Sequence, residues 1–147
     1  MLSKGTGYAI RALVYIYTQN QKGEKPGFKE VAREINSPEQ FTAKILQSLT
    51  RFELLKSARG RGGGFFFDPK NGELTLYEVI KVMEGKSFFT QCIFGFDHCA
   101  DRQPCPLHED FVKIWNDFRK MTENQTIQSL ARKIENQEAY LNRLELN

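Results

Sequence analysis

The chain has 147 residues, of which 40% are hydrophobic, and the net charge is +3. This length suits one domain, or one domain with an extension. The mean hydropathy of -0.51 and the absence of any apolar run near ~18 residues argue against a transmembrane helix. Met1 to Tyr17 lack the ordered regions of a signal peptide. We therefore expect a cytoplasmic protein without a membrane partner.

Charge is distributed unevenly along the chain. Residues 1–70 contain 12 Lys and Arg against 6 Asp and Glu, whereas residues 71–147 contain 9 against 12. A basic first half favours an anionic partner, and nucleic acid is the commonest one. Basic surface is also common on other proteins, so charge alone decides little.

The first half predicts three helices. Residues 8–17 are almost all apolar, which favours a mostly buried helix. Residues 28–35 have the pattern of a short amphipathic helix. Ser37 then suits an N-cap, Pro38 the first helical position, and Gln40 completes a capping box. The apolar residues of this third helix are expected in the core: Phe41, Ile45, Leu49 and Phe52.

A hairpin with a basic tip follows the third helix. Two β-like runs, 54–58 and 65–67, flank a glycine-rich segment that carries two arginines. A helix fits the major groove of DNA, glycines allow close approach, and arginine suits the narrow minor groove. Together these elements predict a winged helix-turn-helix, although an ordinary surface hairpin is the alternative. The expected DNA contacts are Gln40, Thr42, Ala43 and Lys44 on the helix and Arg59, Gly60 and Arg61 on the wing.

The second half predicts three more helices. Thr75 and Glu78 form a capping box for the first of them, and Thr126 caps the last. Between them a long helix runs from Pro106 to about Asn124. Its apolar stripe consists of Phe111, Ile114, Trp115, Phe118 and Met121.

The predicted fold is mainly α with a small β wing, divided into three parts. Residues 1–85 form the winged helix-turn-helix DNA-binding domain, and residues 86–108 form a Cys/His metal-cluster loop. Residues 109–147 form the long dimerisation helix and a C-terminal helix.

Every cysteine and histidine of the chain lies between Cys92 and His108. In the cytoplasm such clustering favours metal or redox chemistry over a disulfide framework. Thiolate and imidazole together suit zinc or an iron–sulfur cluster. The cysteines do not form paired Cys-x-x-Cys motifs, which disfavours a structural zinc ribbon.

The candidate ligands are Cys92, Cys99, Cys105 and His108, with His98 as the competing histidine. If Pro106 takes the first helical position, Cys105 is the N-cap and His108 lies one turn into the helix. Both side chains could then bind one metal, and the helix N-terminus would favour a thiolate at Cys105.

The order of segments resembles the Rrf2 family of bacterial winged-helix regulators. The similarity lies in LSKGTGYAIRAL, SPEQFTAKILQSLTRFELLKSARGRGGGFFF and TLYEVIKVMEG, followed by the cysteine loop, and it covers essentially the whole chain. The family's wing is usually Arg-Gly-x-Gly-Gly-Gly, often with proline where this chain has Arg61. The resemblance implies a homodimer on a palindromic operator in double-stranded DNA, with Arg59 and Gly60 in the minor groove. It places specificity positions near Gln40 and Ala43.

The resemblance also implies a cofactor. IscR-like members bind a 2Fe–2S cluster through three cysteines and a histidine, and they share the final Cys-x-x-His of this loop. The first gap here is six residues, where the IscR pattern has five. NsrR-like members take a ligand from an Asp near the partner chain's start, whereas this chain has Tyr8 there and no acid before Glu24. We therefore expect 2Fe–2S, with 4Fe–4S as the second choice.

The resulting hypothesis is a transcriptional repressor whose cluster senses cluster supply, iron, redox state or nitric oxide. The alternative is the same DNA-binding dimer with a zinc site or a cysteine thiol switch. We do not expect an enzyme, because Asp97, Asp101 and Glu109 lie near the loop but form no recognised hydrolytic motif.

Overall fold

A computed structural model describes residues 1–143; residues 144–147, the end of the predicted 109–147 segment, lie outside the described residues. Short 3-10 turns also occur at Pro69–Asn71 and Lys86–Thr90. The regular elements are α1 (Lys4–Gln21), α2 (Phe28–Glu34), α3 (Glu39–Arg51), β1 (Lys56–Ala58), β2 (Gly64–Phe66), α4 (Leu76–Glu84), α5 (His108–Asn124) and α6 (Ile127–Glu135).

Helix α1 is the centre of the core. Ser3 caps it through a hydrogen bond from the Thr6 N–H, and the helix packs against α2, α3, α4 and α6. Ala9 and Ala12 are fully buried, and their small side chains let the neighbouring helices approach closely. The predicted buried helix over residues 8–17 is therefore confirmed.

Helix α3 is rotated relative to its predicted orientation. Its buried residues recur at three- and four-residue spacing: Thr42, Ile45, Leu46 and Leu49. Phe41 is 41% exposed and Phe52 is 53% exposed, so the prediction that both lie in the core is wrong. The fully buried Leu46 takes the place they were expected to fill.

The predicted capping box at Ser37 is also wrong. Helix α3 begins at Glu39, with Pro38 as its N-cap and no side-chain capping bond. Ser37 Oγ instead lies 2.6 Å from the Thr42 hydroxyl. Pairing of these two hydroxyls leaves Gln40 pointing into solvent rather than back at the helix start.

The two strands form a small antiparallel sheet. Lys56 pairs with Phe66 and Ala58 with Gly64, so the tip runs from residue 59 to residue 63. The strands are shorter than the predicted runs, but the hairpin lies where the sequence placed it.

Two capping boxes in the second half of the chain lie next to each other. Thr75 and Glu78 cap α4, as predicted, and Thr126 caps α6 together with Ser129. The Ile127 N–H donates to the Leu74 carbonyl at 2.8 Å, which ties the two caps together. Helix α6 packs against α1, so the chain returns to the winged-helix half after α5.

Aromatic side chains attach α5 to α4 and to the 3-10 turn at Lys86–Thr90. Trp115 is buried, and its indole N–H donates to the Phe89 carbonyl at 2.9 Å. Phe88 lies 5.2 Å from Trp115, and Phe118 lies 5.4 Å from it, between ring centroids. This aromatic layer forms one wall beside the cysteine loop.

Helix α5 begins later than predicted. Its N-cap is Leu107 and its first residue is His108, so Cys105 is not the N-cap. The His108 N–H instead donates to the Cys105 carbonyl at 3.1 Å, which closes a turn over Pro106 and Leu107.

Candidate nucleic-acid interface and cysteine loop

The exposed face of α3 carries a polar stripe. Gln40, Lys44 and Gln47 are exposed, and Ala43 is half-buried between them. Ala43, Lys44 and Gln47 line a groove against the hairpin residues Ser57 and Phe65. A groove between a recognition helix and a wing is where a DNA backbone can pass.

Gln47 is a residue of this surface that the predicted set of DNA contacts omits. Its position three and four residues after Lys44 and Ala43 puts it on the same helical face. That spacing is visible in the sequence and could have identified it.

Thr42 does not belong to this surface. It is completely buried, and its hydroxyl donates to the Pro38 carbonyl at 2.9 Å. The expectation that Thr42 is exposed toward DNA is therefore wrong. The polar character of a threonine suggested exposure, but a threonine hydroxyl is readily satisfied by the carbonyl four residues earlier.

The wing tip exposes both arginines. Arg59, Gly60 and Arg61 are all exposed. Gly60 has φ +82° and Gly62 has φ +71°, a left-handed backbone that glycine adopts without steric cost. The Gly63 N–H donates to the Gly60 carbonyl at 3.0 Å, which gives the tip a defined turn.

The base of the wing is fastened to the end of α1 and the turn after it. A Cβ on Gly64 would lie 2.1 Å from the Lys25 carbonyl oxygen, so only glycine permits this approach. The Phe65 N–H donates to the Pro26 carbonyl at 2.9 Å. Asn20 donates to the Phe65 carbonyl at 3.2 Å and accepts from the Phe67 N–H at 2.9 Å. The wing is therefore held at a set angle to the helices.

The three cysteines are free thiols in the loop that joins α4 to α5. Cys105 is buried, whereas Cys92 and Cys99 are half-buried. The Cys99 N–H donates to the Thr90 carbonyl at 3.0 Å, which attaches the middle of the loop to the preceding 3-10 turn.

His108 lies against one of these thiols. Its Nδ1 is 3.2 Å from Cys99 Sγ, and its Nε2 is 3.1 Å from Asp101 Oδ1. His98 is exposed and lines a surface cavity with Asp97 and Pro104. Of the two histidines, His108 is therefore the one whose ring contacts a cysteine sulfur.

The surroundings of the thiols shift their pKa values in opposite directions. Burial disfavours the Cys92 thiolate, but hydrogen bonds from the backbone N–H groups of Phe96, Phe94 and Gly95 and from the Cys105 thiol outweigh it, so its pKa is lowered. Burial raises the pKa of Cys99, and the negative charges of Cys92, Cys105 and Asp101 raise it further.

The donor chemistry of this loop fits a cluster with mixed thiolate and imidazole ligands. Cys99 is in contact with His108, and Cys92 and Cys105 lie in the same loop as free thiols. A 2Fe–2S cluster takes two protein ligands on each iron. Within residues 1–143, however, no three of these side chains converge as ligands of a single metal ion.

Helix α5 and its N-cap expose apolar side chains along one edge of the face that also carries the aromatic layer. The exposed side chains are Leu107 at 45%, Ile114 at 58% and Met121 at 46%. They are spaced seven residues apart, the repeat of a helix-pairing seam. Among residues 1–143, no helix is both long enough and apolar enough to cross a membrane.

The fold and its relatives define a class. The structure superposes on the global cysteine regulator CymR of Bacillus subtilis with a TM-score of 0.72 and 19% identity, covering 90% of this chain and 96% of that one. It superposes on T. potens IscR with a TM-score of 0.71 and 18% identity, covering 95% and 91%. The fold is that of winged-helix regulators, mainly helical with a two-stranded wing, and the predicted fold class is confirmed.

The sequence identifies the family within that class. The Rrf2 family, described as an iron-dependent transcriptional regulator, matches residues 2–133, and the chain belongs to it. Protein aau3 of Rhizobium meliloti is 34% identical over 132 residues, which cover 89% of this chain and 84% of that protein. The transcriptional regulator NsrR of Oceanobacillus iheyensis is 28% identical over 141 residues, covering 95% and 93%. The chain is thus a transcriptional regulator rather than an enzyme, as expected.

Proposed function

We propose that this regulator is a cytoplasmic homodimeric repressor whose iron–sulfur cluster changes its affinity for a palindromic operator. The observation that carries the proposal is the contact between His108 and Cys99 beside the other two cysteines, in a loop hydrogen-bonded to the α4 side of the molecule. A Streptomyces coelicolor relative, 26% identical over 106 residues, is named a transcriptional repressor.

The DNA contacts follow from exposure. Gln40, Ala43, Lys44 and Gln47 would meet the major groove, where amide and ammonium groups read base edges. Arg59 and Arg61 would enter the minor groove, with Gly60 allowing close approach. Thr42 contributes by holding the start of α3 rather than by touching DNA.

The cluster ligands would be Cys92, Cys99, Cys105 and His108. The family description as iron-dependent and the contact between Cys99 and His108 support this assignment. A bound 2Fe–2S cluster would supply one-electron redox chemistry and sensitivity to oxygen and nitric oxide; a 4Fe–4S cluster is the second choice. The sensed quantity is cluster supply, iron, redox state or nitric oxide.

A continuous set of contacts joins the loop to the DNA-binding half. The backbone N–H of Cys99 donates to the Thr90 carbonyl. In the same 3-10 turn, the Phe89 carbonyl accepts a hydrogen bond from the indole N–H of Trp115 in α5. At the end of α4, Glu84 accepts from the Ser3 N–H at 2.7 Å and the Thr6 hydroxyl at 2.6 Å, at the start of α1. If the cysteine loop rearranges when the cluster is lost, the positions of α1 and of α5, the proposed dimer helix, would change. Coupling of this kind requires DNA to bind the two forms with different free energies.

Anaerobic purification followed by iron and sulfide counting tests the cluster. We expect iron and sulfide in equal amounts with visible absorbance, both lost in Cys92→Ala. Operator binding is followed in parallel by gel shift. If the wild-type protein contains no iron, the proposed cluster is contradicted. If that protein still binds the operator, its role as a DNA-binding regulator stands.

A zinc site or a thiol switch on the same dimer is the second candidate. The lowered pKa of Cys92 favours it, since a thiolate in a loop that holds two further free thiols is the starting point for disulfide formation. One zinc per chain without iron would support a zinc site. A mass decrease of two hydrogens per chain after peroxide treatment would support the switch.

A further inference from the structure

Asp101 holds the histidine of the loop from the side opposite the thiol. The His108 ring lies between Cys99 Sγ, 3.2 Å from Nδ1, and Asp101 Oδ1, 3.1 Å from Nε2. The His108 side chain is only 13% exposed, whereas that of Asp101 is 97% exposed. The ring is thus enclosed, with one nitrogen facing the cysteines and the other facing a carboxylate.

We propose that Asp101 is a positioning residue that keeps the Nδ1 atom of His108 free as a ligand. A carboxylate accepts only, so in the neutral ring Nε2 carries the proton and Nδ1 presents its lone pair to the cysteines. A carboxylate behind a ligating histidine sets the ring orientation and raises its basicity. The role as a cluster ligand rests on the proposed function, but the tautomer of His108 is a property of the protein itself.

The chain contains its own comparison for this contact. His98 and Asp97 are neighbours in the same loop and both are exposed. Within residues 1–143, His98 makes no side-chain hydrogen bond to Asp97 or to a cysteine. An acidic neighbour in the sequence does not by itself bind a histidine ring, as His98 and Asp97 show. The His108 ring is bound by Asp101, which is seven residues away in the sequence.

The first test measures the ring nitrogens directly. In metal-free, reduced protein labelled with 15N-histidine, spectra are recorded in mildly alkaline buffer, and the chemical shifts of the ring nitrogens report the tautomer of each histidine. A Cys99→Ala background removes the thiol as a competing partner. With Asp101 present we expect His108 as a single Nε2–H tautomer, and with Asp101→Ala a mixture like that of His98.

Two further variants sharpen this measurement. Asp101→Asn should keep the single tautomer, because its amide oxygen still accepts from Nε2–H. Asp97→Ala should leave the His108 signals unchanged. A His108 tautomer mixture in the presence of Asp101, or a single tautomer that persists in Asp101→Ala, would overturn the proposal.

The second test uses the cluster-loaded dimer. Loss of visible absorbance to an iron chelator should become about tenfold faster in Asp101→Ala, the scale typical for partners of ligating histidines. Asp97→Ala, which removes a charge from the same loop, should lose its absorbance at the wild-type rate. Equal acceleration in both variants would contradict positioning through His108. If the wild type takes up no cluster, the proposed function fails, while the tautomer measurement still decides the role of Asp101.

Discussion

Thr42 shows how one hydroxyl can be structural inside a surface made for recognition. It is completely buried and bonded to Pro38 and Ser37 at the start of α3. Thr42→Val would leave the Ser37 hydroxyl and the Pro38 carbonyl with one partner fewer, which costs about 1–2 kcal/mol of unfolding free energy. Urea denaturation measures this loss.

Thr50→Val is the matched control for Thr42→Val. Thr50 is in the same helix but half-buried, and its hydroxyl bonds to the Gln47 carbonyl near solvent. Its unfolding free energy should change by less than about 0.5 kcal/mol. Equal destabilisation by the two substitutions would contradict the structural role assigned to Thr42.

Glu84 makes the contact between α4 and α1 dependent on pH. Burial acts to raise its pKa, but hydrogen bonds from Thr6 and Ser3 outweigh burial and lower it below the usual value of 4.5. A carboxyl whose pKa is lower in the folded state stabilises the fold above its unfolded pKa, and this stabilisation disappears as pH falls through its folded pKa.

Glu84→Gln should therefore destabilise the protein by about 1 kcal/mol at pH 7, the scale of a partly screened charged hydrogen bond. Below the pKa of Glu84 in the folded protein, the wild type should lose this extra stability. The unfolding free energies of the wild type and of Glu84→Gln should then converge. Urea denaturation of both proteins at pH 7 and near pH 3 provides the comparison. A difference that is the same at both pH values would contradict the role of the charge.

The apolar face of helix α5 is buried in one part and exposed in another. Trp115 packs within the chain, whereas Leu107, Ile114 and Met121 are exposed. Ile114→Glu should place a charge in the proposed dimer seam and shift the protein toward monomer by at least tenfold in dissociation constant, measured by sedimentation velocity. Asn116→Glu adds the same charge outside the stripe and should remain dimeric. A dimer unaffected by Ile114→Glu would place the seam elsewhere.

The wing carries a prediction about salt. Arg61 is exposed at the tip. If its guanidinium neutralises one phosphate, Arg61→Ala should reduce the slope of log affinity against log salt by about 1. Arg33→Ala, an exposed arginine at the end of α2 paired with Glu34, serves as the charge control. Equal changes of slope would mean that Arg61 acts only through net charge.

Element types were predictable because their signals are local. The caps at Thr75 and Thr126, the glycine-rich tip and the apolar run of α1 each determine structure within a few residues. The rotation of α3 was not predictable, since the burial of Leu46 in place of Phe41 depends on what α1 offers as a surface. The contact between His108 and Asp101 likewise depends on how the loop folds back on the start of α5.

At the scale of the whole molecule, the proposed coupling between the DNA-binding half and the loop of thiols would pass through the aromatic layer and the Glu84 carboxylate. The middle of the loop is attached to Thr90 through the Cys99 N–H, and its end is held by the turn into α5. Because interfaces and packed layers have discrete arrangements, a change of ligand in the loop can alter the relative placement of two DNA-binding halves in a dimer.

The most direct test compares operator affinity with and without the cluster. A single preparation is divided, one half is kept loaded with iron and sulfide counted, and the other is stripped with chelator under anaerobic conditions. Both are titrated with the same operator at one salt concentration, alongside Cys99→Ala. We predict dissociation constants that differ by at least tenfold, with Cys99→Ala matching the stripped protein in both preparations. Equal constants for the loaded and stripped forms would contradict cluster control of DNA binding.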